Sequence, residues 1–398
     1  AVTAGGERVG WRRRLRGLHQ RGQHGEVVLA VGERSGIVGA EHAGDGAVLV
    51  ARSGVSRSRG VVTAQSAEKR RGLVLLPTET VYGLAARADD PAAVARVYAA
   101  KGRPERHPVI VHIADPADAI DPDAPGSWVS DAPEFAQHLA AEFWPGPLTL
   151  VLPRSSRATD DITGGQDTVA IRVPAHPLAR EVLLAMDDLD PEGAPHAIVA
   201  PSANRFGRVS STSVQHALDE LGDVLDETRD IALDGGPCSV GLESTIVDCS
   251  GDAPRILRPG GITAADVVRV AGHMSSLSGS SAPRVPGALP SHYAPAARVA
   301  IAIDGEAAAA YAGAATEGGL GDGSIGLLAP ASVADLPGVV RLATPGTSED
   351  YARILYSALR EADARGIEFI VVVPPPADAD GIAAAIVDRL RRASAPRT

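Results

Sequence analysis

From Leu73 onward, short apolar runs alternate with amphipathic stretches, and glycine or proline marks most of the junctions. Ser66 can cap a short helix through Arg71 that Gly72 ends, and Leu73–Leu76 has the length and character of a buried strand. After a turn at Pro77, Val94, Val97 and Tyr98 share one face of a predicted helix over Pro91–Ala100. Strands are expected at Val109–Ile113, Leu148–Leu152, Thr168–Val173, Ile198–Ala200, Ile231–Leu233 and Ser244–Asp248. Helices are expected at Glu134–Phe143, Pro177–Met186 and Ser213–Leu221. This mixture predicts an α/β domain over residues 66–272.

The text then changes. Residues 273–297 are rich in Ser, Pro and Gly, the composition of a linker. Beyond them, Val299–Ile303, Ile325–Leu328, Val339–Leu342 and Phe369–Val373 read as strands, and Ser348–Ala364 and Ile382–Arg392 as helices. That spacing suits βαβ crossovers in a second, smaller α/β unit over residues 298–398. Residues 1–65 carry scattered Arg and Gly, with at most one short strand at Val27–Val31. They are expected to be a disordered extension or an over-long reading of the gene, with translation starting near Val61 or Val62. Residues 187–196 read as a polar surface insertion.

At 398 residues, two domains plus connecting material are the default. No apolar run approaches the roughly 18 to 20 residues that a membrane span needs, and nothing upstream has the pattern of a secretory signal. Two cysteines, Cys238 and Cys249, cannot make a disulfide framework and form no Cys/His set with zinc spacing. A cytoplasmic address is therefore expected, with no membrane contact. A net charge of −11 excludes a general polyanion-coating protein, so a tRNA partner would have to meet a local basic patch.

One compositional bias changes the picture. Nearly all basic residues are Arg; the only lysines are Lys69 and Lys101, and the only asparagine is Asn204. Arg cannot imitate a compact ammonium, and Asp cannot imitate an amide that both donates and accepts. Lys69 lies in the polar run Glu68-Lys69-Arg70-Arg71, whereas Lys101 and Asn204 fall inside motifs punctuated by glycine and proline. The latter two are candidates for chemistry on that ground.

No P-loop is present. Gly321-Asp322-Gly323-Ser324-Ile325-Gly326 matches G-x-G-x-x-G but runs into a strand, so it reads as a turn and not as a dinucleotide site. In contrast, the polar residues of Pro77–Leu84 leave a buried strand at the edge where open α/β sheets bind ligands. Lys101-Gly102-Arg103-Pro104 sets two cations two residues apart, a fork suited to polyphosphate. Ser202 and Asn204 follow a short strand and can bind phosphate, ribose or base edges, or simply cap. Gly241–Thr245 and Arg258–Gly261 complete a set of polar motifs at strand ends.

Together, PTETVYGL at 77–84, KGRP at 101–104, HPVIVHI at 107–113, FWPGPLTLVLP at 143–153, TVAIRVPAHP at 168–177, APSAN at 200–204, GLESTIVD at 241–248 and LRPGG at 257–261 closely resemble the Sua5/YrdC/YciO family. PGALPSHYAP at 286–295 and the terminal unit resemble its longer Sua5 subfamily, over residues 67–398 in all. The resemblance implies a YrdC-like twisted mixed-sheet domain, a linker, and a smaller Rossmann-like α/β domain. It implies condensation of L-threonine, bicarbonate or CO₂, and ATP with Mg²⁺ into threonylcarbamoyl-AMP and pyrophosphate. The product would pass to the tRNA threonylcarbamoyl-transfer machinery, for the adenosine at position 37 of tRNAs.

By the same matching, Lys101 and Arg103 would act on the phosphates, and Ser202 and Asn204 would hold the nucleotide. His107, Thr168, Thr212 and Arg258 would line the ATP side, while Thr80, His112, Arg172 and Ser244 would surround threonine. No protein side chain is assigned to the metal, which would ride on the ATP phosphates. Ser291–Pro295 matches a segment that folds back over the site, with Tyr293 on the ATP; Tyr293→Ala is expected to keep the fold and weaken ATP use. His107 stands where Asn is usual, Ala288 where methionine is, and Gly381–Ala385 loosens a glycine-rich stretch. A non-catalytic module binding double-stranded RNA or tRNA is the alternative. Hydrogenase-maturation relatives are disfavoured, because two cysteines cannot supply their zinc-finger regions.

Overall fold

Two sheets organise the chain, one on each side of the linker. In this computed structural model, residues 72–189, 195–226, 229–275, 282–376 and 381–396 are described, along with the backbone of five short strands between residues 19 and 64. One of the five, Val27–Leu29, falls inside the predicted Val27–Val31 run. Most of the predicted 1–65 extension, the predicted Ser66–Arg71 helix and residues 190–194 of the insertion lie outside the described residues.

The first sheet is built from β1 (Val74–Leu76), β2 (Gly83–Arg87), β3 (Ile110–Ile113), β4 (Leu148–Pro153), β5 (Thr168–Arg172), β6 (Ala197–Val199), β7 (Ile231–Asp234), β8 (Thr245–Asp248) and β9 (Arg255–Arg258). Their order is β9-β8-β4-β5-β3-β6-β2-β1-β7, continued by Gly46–Arg52 and Glu41–Ala43. Pairing is mixed: β3 with β5 and β4 with β8 run parallel, while β4 with β5 and β3 with β6 run antiparallel. Central strands are covered on both faces, so β3 and residues 148–152 of β4 are buried throughout and read as mainly apolar runs, interrupted by His112 and Thr149. Adjacent residues serve opposite faces: Leu75 packs with Leu84, Val94 and Val97, whereas Leu76 packs with Leu178, Leu183 and Ile198.

Helix α1 (Pro91–Lys101) shows how the sequence places the site. The Asp90 carboxylate accepts from the Ala92 and Ala93 N–H groups, and Pro91 opens the first turn. Gly102, at φ 60°, ends the helix in the left-handed conformation. Lys101 is thus the last helical residue, and Arg103 lies just beyond the turn. Further helices are α2 (Pro116–Ile120), α3 (Glu134–Phe143), α4 (Asp160–Thr163), α5 (Pro177–Leu189), α6 (Val214–Leu221) and α7 (Ala264–Ala271).

After the linker, β10 (Arg298–Ile301), β11 (Ile325–Leu328), β12 (Val340–Ala343) and β13 (Phe369–Val372) form an all-parallel sheet in the order β10-β13-β11-β12. Helix α8 (Gly305–Glu317) packs on one face through Ala308 and Ala312. Helices α9 (Ser348–Ala364) and α10 (Gly381–Ser394) cover the other, with Leu355, Leu359, Ile386 and Leu390. That second cluster does not stop at the domain boundary, because Val81, Val209, Leu242 and Tyr293 belong to it.

The α/β class and the two-sheet arrangement are as expected. Sequence reasoning missed β2, β9, α2, α4, α7 and α8. Strand β2 is Gly-Leu-Ala-Ala-Arg and α8 buries little but alanine, so neither has the large apolar side chains that periodicity detects. No helix among the described residues is long and apolar enough to cross a membrane.

Candidate active site

The chain exits of α1 and β6 meet around Lys101. Its side chain is only 2% exposed, and its ammonium donates to the backbone carbonyls of Ser202 and Asn204. In return, the Phe206 N–H donates to the Lys101 carbonyl at 2.8 Å. Arg103 donates from Nη2 to the Pro108 carbonyl at 2.7 Å and from Nε to the His107 carbonyl at 3.3 Å, and its guanidinium lies 5.7 Å from the Phe206 ring centre. Burial, reinforced by the neighbouring Arg103, holds Lys101 well below its ordinary value; burial first, with Arg258, brings Arg103 down to about 10 against the opposing Tyr98 and Tyr293. Two cations buried this close are unfavourable without an anion. Asn204 spends its amide N–H groups on the Arg205 and Arg208 carbonyls, at 2.7 and 3.0 Å, while its buried Oδ1 has no partner among the described residues.

A second group forms at the ends of β3, β4 and β5, where Thr149, Arg172 and His112 are cross-strand neighbours. Arg172 donates to Thr80 Oγ1 at 2.9 Å, to Glu79 Oε1 at 2.6 Å and to the Gly146 carbonyl at 3.3 Å. Burial works against the Glu79 carboxylate, but the Arg172 charge and hydrogen bond keep it below its usual range. Ser244 Oγ sits 2.7 Å from Thr149 Oγ1. His112 hydrogen-bonds through Nδ1 with the Ile110 carbonyl at 3.1 Å, and burial, then Arg172, pushes it down to about 3.

Arg258 ties the second group to the linker. It donates to the Ser244 carbonyl at 2.9 Å and to Ser244 Oγ at 3.1 Å on one side, and to the linker carbonyl of Pro286 at 3.0 Å on the other. The linker continues across the Lys101–Arg103 side as part of a file of rings: His107 to Phe206 (5.2 Å), Phe206 to His292 (5.9 Å) and His292 to Tyr293 (4.2 Å). Thr212 Oγ1 is 3.2 Å from both His216 Nδ1 and Ser357 Oγ. Thr168 stands apart, opening β5 at the end away from Arg172, roughly 13 Å along an extended strand. It is the His107 carbonyl that receives Arg103, while the ring stacks edge-on, so this contact does not depend on the residue type at 107.

Tyr293 is 1% exposed and takes φ 62°, unusual for a bulky residue. Its ring is wedged so tightly that a Cβ on Gly287 would stand 2.1 Å from its hydroxyl oxygen. Tyr293→Ala therefore carries a stability cost that the sequence did not reveal. Sequence reasoning also missed Glu79 as the partner of Arg172, and Thr149 and Phe206 as contacts. Glu79 and Phe206 lie within or next to quoted motifs, whereas Thr149 is one apolar-run residue among many.

Comparison with known proteins places this geometry. A family model described as telomere recombination, covering Sua5, YciO and YrdC, matches residues 67–260. A second, described as the C-terminal domain of threonylcarbamoyl-AMP synthase, matches residues 262–395. The threonylcarbamoyl-AMP synthase of Pyrococcus abyssi is 37% identical over 341 residues, covering 82% of this chain and 91% of that one. This chain belongs to the Sua5 family. The Bacillus subtilis threonylcarbamoyl-AMP synthase is likewise 37% identical, over 85% of this chain and 93% of its own. The structure of P. abyssi Sua5 complexed with L-threonine superposes with a TM-score of 0.69 at 35% identity, covering 82% and 91% of the two chains.

In this Sua5 chain the buried imidazoles give the fold a defined pH response. His292 is also held down to about 3, by burial first and by the cations Arg103, Lys101 and Arg258 against the pull of Glu243. Both rings are neutral in the fold, so the unfolded chain binds protons that the folded chain refuses below about 6.5. Stability is fully present above that value and declines toward pH 3, by up to about 1.4 kcal/mol per pH unit for each ring. His112→Gln is expected to flatten the decline by one such increment when Tm is followed from pH 7 to 4.5. An unchanged slope would remove His112 from this account.

Proposed function

We propose that this chain forms threonylcarbamoyl-AMP and pyrophosphate from L-threonine, bicarbonate or CO₂, and ATP. The observation that carries the reading is the linker, which meets the Lys101–Arg103 clamp through His292 on the Phe206 ring and the Arg172–Ser244 group through Pro286 on Arg258. A nucleotide held by the first and an amino acid held by the second would meet across it. The threonine nitrogen would form a bond to the carbon of CO₂ and release a proton, or to the carbon of bicarbonate with a C–O bond breaking and water leaving; either gives a carbamate. A carbamate oxygen would then attack the α-phosphorus, and the bond to the β-phosphate oxygen would break with its electron pair leaving on pyrophosphate.

Lys101, Arg103 and Arg258 supply positive charge where charge develops on the phosphoryl oxygens and the leaving group. Ser202, Asn204, Thr212, His107, Thr168 and Tyr293 are assigned to the nucleotide, and Thr80, His112, Arg172 and Ser244 to L-threonine. The open charge of the clamp suits an anion, and the orphaned Asn204 Oδ1 suits a hydroxyl or amino donor of the nucleotide. Magnesium is assigned to the ATP phosphates and enters with them as part of the substrate. Its charge would offset the oxygens of the β- and γ-phosphates that Lys101 and Arg103 do not reach. The product goes on to the enzymes that modify tRNA, in the cytoplasm.

The test is pyrophosphate release by the purified chain with ATP, Mg²⁺ and bicarbonate, with and without L-threonine. Release that requires L-threonine is expected. Release under no amino acid, together with strongly salt-dependent binding of double-stranded RNA or tRNA, would replace the synthase by a non-catalytic binding module.

A further inference from the structure

Helix α10 lies far along the chain from the clamp, yet it forms the floor on which the linker rests. Arg389 is fully buried on its inner face. It donates from Nε to Glu243 Oε2 at 2.8 Å, from Nη2 to the Pro259 carbonyl at 3.0 Å and from Nη1 to Asp388 Oδ2 at 2.6 Å. The same guanidinium stands 5.2 Å from the centre of the Tyr293 ring, which also stacks with Tyr356 at 5.7 Å and meets His292 edge-on at 4.2 Å. Tyr356 donates to Glu243 Oε2 at 2.9 Å, and Ser210 donates to Oε1 at 2.5 Å. One carboxylate therefore gathers two domains and the ring of the linker. One turn farther along α10, Arg392 donates to the Leu289 carbonyl at 2.5 Å and accepts from the His292 N–H at 3.3 Å.

We propose that Arg389 is a positioning residue for the nucleotide half of the site: through Glu243 and the face of Tyr293, the C-terminal domain sets where the linker lies over Arg103 and Arg258. Three observations separate this from simple domain adhesion. The Tyr293 hydroxyl makes no hydrogen bond among the described residues, so the ring is located by its faces, one of which Arg389 supplies. Tyr293 also holds a left-handed backbone, which needs outside support to persist. And Arg389 reaches Pro259, the residue after Arg258, so it braces the Arg258 bridge from behind. Burial works against Glu243, but Arg389, then Arg258 and the Ser210 hydroxyl, hold its carboxyl down to about 2, so the anchor stays charged at any working pH. The Arg172 contacts to Thr80, Glu79 and Gly146 lie outside this network, so the amino-acid half should respond less.

The inference rests on the synthase reading, and the experiment separates the two. Full-length wild type, Arg389→Met, Arg389→Lys and the double variant Glu243→Gln with Arg389→Met are compared for kcat, for KM of ATP and of L-threonine, for Tm, and for ATP affinity by calorimetry, which needs no turnover. Arg389→Met is expected to raise KM and Kd for ATP on the order of tenfold with less than about a threefold change in KM for L-threonine. Arg389→Lys recovers part of that, because it keeps the charge on Glu243 but loses the planar fork. The double variant does not strand the Glu243 charge, so it regains Tm but not ATP affinity; it also carries the test if Arg389→Met does not fold. Wild-type ATP affinity in either Met variant that folds, or equal losses for ATP and L-threonine, overturns the inference. A wild type that binds ATP but releases no pyrophosphate overturns the synthase reading and leaves the calorimetric comparison standing.

Discussion

Lys101→Met is expected to slow pyrophosphate release by roughly a thousandfold, the scale on which a preorganised charge at a developing anion acts. Methionine keeps most of the volume of the side chain and removes only the ammonium, so folding, read by near-UV circular dichroism, should survive while turnover does not. The position offers no substitute for the lost charge. Arg103 is tied to the carbonyls of His107 and Pro108 and packed on Phe206, so it cannot swing into the gap. Lys101→Arg should fail to rescue. The ammonium sits between the Ser202 and Asn204 carbonyls, and a planar guanidinium would have to push one of them aside in a site only 2% exposed. Those carbonyls take two of its three N–H groups, and an oxygen of the polyphosphate would take the third. Full activity in Lys101→Arg would mean that charge alone matters and that the cradle is incidental.

The legibility of this site in the sequence follows from what each residue is asked to do. Lys101 and Asn204 stood out because a chain that otherwise avoids their residue types kept them, and they prove to be in contact, though through the Asn204 backbone carbonyl and not its amide, which turns to the Arg205 and Arg208 carbonyls. The strands of the first sheet were legible because burial on both faces demands mainly apolar runs. Strand β2 and helix α8 were not, because alanine fills both and carries no period. Least legible was the junction of the domains. Glu243 and Arg389 are 146 residues apart, and each looks locally like an ordinary charged residue, one in a loop and one on a terminal helix. Only the fold reveals that both are buried, and that the linker ring lies between them and Tyr356.

Arg172→Gln should separate stability from substrate use even more sharply. The guanidinium is 5% exposed and its partner carboxylate 9%, so its removal strands Glu79 in the interior and is expected to cost about 3–5 kcal/mol. It should also raise KM for L-threonine about a hundredfold or more, since the assigned carboxylate partner is gone. Arg172→Lys should not restore it, because one ammonium cannot serve Thr80, Glu79 and the Gly146 carbonyl in their three directions. The pH dependence identifies the cause. In the wild type the Glu79 value is depressed below 4.5, so its contribution is present above that pH and is lost as pH falls further. Without Arg172, burial is left as the main influence and raises the value above 4.5; the folded variant then prefers the protonated acid. Its contribution becomes fully present below 4.5 and is lost as pH rises through the raised value. Tm followed from pH 7 down to 4.5 should therefore improve in Arg172→Gln relative to wild type as acid is added. A constant Tm difference across that range would mean that Glu79 is not the residue left exposed to the interior, and that Arg172 stabilises the fold by packing alone.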